Sequence, residues 1–106
     1  MENVTTIILP VGDFTSAVAR KVTDSLGDAA GRGRTIVINL QWTARWSWGA
    51  LCELAESLRG RYRDARVSFT CVPPARRALL REVGLGNNWA ADEPQLGPAQ
   101  RVLISA

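Results

Sequence analysis

Thr35-Ile36-Val37-Ile38-Asn39-Leu40 is an almost unbroken run of β-branched and apolar residues. A strand with one wet face alternates apolar and polar side chains. A continuous run belongs to a strand buried on both faces, which is the situation inside a parallel sheet. A parallel sheet needs crossover helices, and the sequence on either side supplies them. Upstream, Val18, Val22, Leu26 and Ala29 recur at helical spacing, which predicts an amphipathic helix over 16–30. Asp13, Thr15 and Ser16 are its candidate N-caps, and Gly31-Arg32-Gly33 closes it with glycine free to take the left-handed cap. Before that helix, Val4 to Leu9 reads as a strand bounded by Pro10 and Gly12.

Downstream, Gln41 to Trp46 reads as a loop, and Ser47 precedes a second helix with Leu51, Leu54, Ala55 and Leu58 on one face, ended by Gly60. Arg66 to Val72 reads as a strand with Val67, Phe69 and Cys71 turned to the sheet core. Pro73-Pro74 stops it, and Ala75 to Val83 follows as a third helix. Asn87 to Pro98 reads as loop, and Val102 to Ile104 as a short last strand, a candidate edge. Strand and helix alternate throughout. The expected fold is therefore α/β, with a mostly parallel central sheet of about four strands flanked by three or more helices.

With 106 residues, 46% hydrophobic and 22% charged, the chain fits one ordinary globular domain rather than a disordered segment. No apolar run approaches the roughly 20 residues of a membrane span. Met1-Glu2-Asn3-Val4-Thr5-Thr6 lacks the basic start of a signal peptide. A cytoplasmic protein without membrane insertion is expected. Histidine is absent, which removes the usual general base and the commonest zinc ligand. The acids are scattered, and Ser25, Ser57 and Ser68 have no basic partner to activate them. Pro10-Val11-Gly12-Asp13 is too short for a phosphate-binding loop. No catalytic residue, metal site or cofactor is expected, and the chain is not expected to be an enzyme. Cys52 and Cys71 are too few for a disulfide framework and read as buried free thiols.

Twelve of the thirteen basic residues are arginine. Arg59, Arg61, Arg63, Arg66, Arg76, Arg77 and Arg81 face only Asp64 and Glu82 in their own stretch. Such a cluster suits nucleic acid or an acidic protein, or is simply a solvated face, which is the reading preferred here. Trp42, Trp46 and Trp48 crowd seven positions, with Arg45 among them. Tryptophan and arginine are favoured anchors of protein interfaces, and this segment follows a parallel strand at the end where such sheets place their sites. The alternative is that the tryptophans cover the open end of the sheet and pack on Trp89.

Four passages, taken in order, resemble the STAS domain of sulfate transporters and anti-sigma-factor antagonists. Gly12-Asp13-Phe14-Thr15 resembles the turn that opens the family's first helix. Ile36-Val37-Ile38-Asn39-Leu40 resembles its central strand, with Asn39 in place of an Asp. Ser47-Trp48-Gly49 lies where the family has Asp-Ser-Ser-Gly. Pro73-Pro74-Ala75-Arg76-Arg77-Ala78-Leu79-Leu80, followed by Val83-Gly84-Leu85, resembles its last helix and closing Gly-Leu. The resemblance implies a single STAS-like domain over 1–106, with its core at about 5–86 and a loop and candidate edge strand in 87–106.

It also implies a non-enzymatic switch. A serine at the start of the second helix is phosphorylated by a partner kinase, often the anti-sigma factor itself. Carried over, that serine is Ser47 and the following glycine Gly49, and the turn at Asp13 borders the family's switch surface; with the tryptophan and arginine cluster read above, the expected partner-binding residues are Asp13, Trp42, Arg45, Trp46, Ser47, Trp48 and Gly49. Ser47 is also read as a plain N-cap. Trp46 replaces the family's acidic residue and Trp48 its second serine. The implied partner is an anti-sigma factor or serine kinase, with a homodimer or larger assembly as a further expectation and nucleic acid not expected. The competing reading is a constitutive scaffolding subunit, of the stressosome or transporter-associated kind, that has lost the switch.

Overall fold

The computed structural model describes residues 4–85 and 99–105. Thr5–Pro10 forms β1, Gly12–Phe14 β2, Ser16–Gly31 α1, Thr35–Asn39 β3, Thr43–Trp46 β4, Trp48–Arg59 α2, Val67–Thr70 β5, Pro74–Glu82 α3 and Ala99–Ile104 β6. The main sheet has four strands in the order β5-β3-β1-β6, and every pairing in it is parallel. With its three helices the chain is α/β, as the alternation of strands and helices requires. Among the described residues no helix is long and apolar enough to cross a membrane.

The two central strands are those whose sequences lack alternation. β1 is buried at all six residues, and β3 from Ile36 to Asn39. Their side chains divide between two faces. Ile8, Ile36, Ile38 and Phe69 join the main core with Val18, Val22 and Leu26 of α1, Leu51, Leu54 and Leu58 of α2, and Leu80 of α3. Ile7, Leu9 and Val37 form a small cluster of their own, as the two-residue period of a strand requires.

The helix ends follow local chemistry. Thr15 is the N-cap of α1, its hydroxyl accepting from the Val18 amide at 3.3 Å. Gly31 is the last residue of α1 and Arg32 its C-cap, and Gly33 beyond them takes the left-handed conformation, with φ +67°. α3 starts on proline with no side-chain cap, which costs little because the first amide of a helix has no partner anyway.

Several expectations need correction. The 41–46 loop contains a strand: β4 pairs in parallel with β2 as a separate two-stranded sheet. The last strand begins at Ala99, three residues before the apolar stretch, because β1 supplies its pairing partners from Thr5 to Pro10. Cys71 is exposed rather than in the core, and Cys52 is half-buried. The ladder of β5 ends at Thr70, and Cys71 turns to φ 57°, so the alternation that would have buried it stops one residue earlier. The expected 87–98 loop lies outside the described residues.

Candidate docking surface

All strands of the main sheet run the same way, so the C-terminal ends of β1, β3 and β5 gather on one side. The segments that leave them are stitched together by backbone hydrogen bonds. The Val11 amide donates to Ile104 O (2.8 Å), Gly12 to Trp42 O (3.0 Å), Leu40 to Thr70 O (3.1 Å) and Ser47 to Phe14 O (3.2 Å). The Thr43 hydroxyl adds a bond to Pro10 O at 3.0 Å. Gly12 bridges the two sheets at φ +84°, a conformation glycine takes without strain. The small β2–β4 sheet is therefore tied to the end of the main sheet, and its far end delivers the chain to α2.

Every residue of the sequence-predicted surface lies in this region. Asp13 is exposed on β2. The register runs from Gly12 opposite Thr43 to Phe14 opposite Trp46, so Ala44 and Arg45 together face Asp13 across a bulge. Arg45 is exposed. Trp42 is 51% exposed and Trp48, the first residue of α2, is 50% exposed, with Val11 at 38%. Trp46 differs from its neighbours: it is half-buried against the main core, and the Arg76 guanidinium of α3 lies over its ring, 5.7 Å from the centroid. The three clustered tryptophans are thus one anchor and two largely open rings. Trp89, the alternative packing partner, lies outside the described residues.

Ser47 caps α2. Its backbone is extended, and its Oγ accepts from the Ala50 amide at 3.4 Å while the residue stays exposed. The hydroxyl is therefore within reach of solvent and beside the unpaired amides of the first helical turn. A Cβ on Gly49 would stand 4.0 Å from Ser47 Oγ, an ordinary contact, so packing does not require glycine there.

Two contributors escaped the sequence reading. Arg76 reaches Trp46 from thirty positions along the chain, and only the parallel topology brings α3 to it. Thr43 has no motif around it that announces its bond to Pro10. The arginine stretch also proves divided. Arg59 Nη1 donates to Val83 O at 2.9 Å, Arg61 lies 5.5 Å from the Tyr62 ring centroid, and Arg76 is taken by Trp46.

An open groove of about 330 Å³ lies between α1 and the β6 edge, lined by Thr6, Asp24, Ser25, Asp28, Gln100 and Val102. Among the described residues no group of three or more acids, cysteines or histidines is placed to hold a metal ion. No protein-family model, curated protein or solved structure matches this chain.

Proposed function

We propose that this chain is a non-enzymatic, cytoplasmic regulatory domain of the kind the STAS resemblance implies. It docks a protein partner through residues 42–52 and is switched by phosphorylation of Ser47. The observation that carries this reading is the pair of half-exposed tryptophans, Trp42 and Trp48, on either side of an exposed N-cap serine. Apolar rings of this size leave water on binding a partner, and tryptophan is prominent among interface anchors. A phosphate on Ser47 would add about −1.5 to −2 charges beside a helix N-terminus, which tolerates anions, so it would change the docking face without unfolding the domain. The partner expected on this reading is an anti-sigma factor or a serine kinase.

Intact-mass analysis of the protein from its native cell, with peptide mapping across 46–59, tests the switch. The reading predicts one phosphate on Ser47 under some growth or stress condition. An unmodified Ser47 under all of them contradicts it.

The second reading, a constitutive scaffold, is favoured by one observation: both neighbours of Ser47 are tryptophans, one of them held beneath Arg76. On that reading the Trp42→Ala and Trp48→Ala variants lose assembly while Ser47→Ala changes nothing but stability.

A further inference from the structure

We propose that the occupant of this surface is an acidic segment of the partner protein, held by Arg45 and Arg76 around the tryptophans. The proposal deepens the docking reading and rests on it.

Charge complementarity carries the argument. Arg45 is exposed on β4, and Arg76 comes from the first turn of α3 to lie over Trp46. Neither makes an ion pair among the described residues. Asp13 is exposed on β2 across the bulge from Arg45, and it too makes no ion pair among the described residues. The helices point the same way. α1, α2 and α3 all begin at this end of the sheet, and none has an acidic residue in its first turn. Acids are the usual occupants of that position because they offset the partial positive charge of the helix start. Here no carboxylate within the first turn of any of the three helices offsets it.

The engagement of Arg59 and Arg61 favours a protein over a nucleic acid. A nucleic acid needs a continuous basic track along its backbone. Arg59 is the last residue of α2, about 17 Å along the helix axis from Trp48, and Arg61 lies in the turn just beyond it. Arg59 donates to Val83 O and Arg61 lies over the Tyr62 ring, so neither of these two is a free cation continuing from the tryptophans. Two exposed apolar rings, with one cation on β4 and another over Trp46, fit a short acidic segment with an apolar residue of its own.

Arg76 has a particular place in this scheme. Its guanidinium already covers one face of Trp46, which fixes its position before a partner arrives and reduces the side-chain entropy lost on binding.

Random peptides displayed on phage and selected on the whole protein would test the proposal. The counter-targets are the Trp42→Ala/Trp48→Ala and Arg45→Gln/Arg76→Gln double variants, each checked for folding by circular dichroism. We expect the enriched peptides to be rich in Asp and Glu, to need the tryptophans, and to bind the arginine variant at least about tenfold more weakly. Their affinity should also fall as salt rises.

Peptides that need the tryptophans but carry no acidic excess, or that bind the arginine variant equally well, would overturn the acidic occupant and leave the docking surface standing. Peptides indifferent to the tryptophans, or no enrichment at all, would overturn both. A fluorescent single-stranded oligonucleotide that binds at physiological salt with the same tryptophan and arginine dependence, and displaces the peptides, would make the occupant nucleic acid and overturn the proposal.

Discussion

A serine at the start of α2 stabilises the helix whatever else happens to its hydroxyl. Its 3.4 Å bond to the Ala50 amide satisfies one of the donors a helix start leaves open. Ser47→Ala should lower unfolding free energy by about 1 kcal/mol in urea titration, and Ser47→Asp should restore most of it. Thr70 behaves in the opposite way. It is fully buried, and its hydroxyl has no hydrogen-bond partner among the described residues. Thr70→Val removes a desolvated, unpaired donor at constant shape, so stability should stay level or rise by about 1 kcal/mol; a loss of 2 kcal/mol or more would mean the hydroxyl has a partner.

Cys71 illustrates what residue patterns leave out. Val67, Phe69 and Cys71 alternate as one buried face should, but the chain leaves the ladder at Thr70 and takes a left-handed turn at Cys71 before Pro73-Pro74. Nothing in a period-two pattern says where pairing stops. Ellman's reagent should therefore label one thiol of the native protein in a fast phase, with Cys52 following slowly; Cys71→Ser should abolish the fast phase.

At the level of elements, the strands that could be read were those whose environment is written in their own composition. β1 and β3 are central, buried on both faces and rich in β-branched residues. β2 and β4 have three and four residues, too few for a period to appear, and each is defined by the other. β6 shows the same dependence. Gln100 and Arg101 are exposed and polar, and their place in the sheet comes from β1 rather than from their own sequence. Helices were more legible because an apolar stripe repeats over many turns. The contact between the stripes of α1 and α2 is correspondingly important. Leu54 is fully buried between them and the sheet. Leu54→Ala should cost 2–5 kcal/mol, on the order seen for buried leucines. Glu53→Ala, one position away on the exposed face, should change stability by less than about 0.5 kcal/mol in the same measurement.

For the whole molecule, the topology sorts stability and recognition into different places. The apolar stripes of three helices converge on one face of the sheet, while the strand ends deliver Asp13, Trp42, Arg45, Ser47 and Trp48 to one side. The clustering of those residues was visible in the sequence because all but Asp13 lie within seven positions. The difference between the tethered Trp46 and the open Trp42 and Trp48 was not visible, because it depends on Arg76, which reaches Trp46 only after β5 and α3 are in place. This separation means that the exposed rings can be changed at little cost to folding. The central claim, that residues 42–52 dock a protein partner, can therefore be tested in the native cell by replacing Trp48 with a photo-crosslinking benzoylphenylalanine. The account predicts that illumination joins one defined protein to position 48, and that the same probe at Arg61, just beyond the far end of α2, yields none. Identical crosslinks from both positions, or none from position 48 under any growth or stress condition, would contradict it.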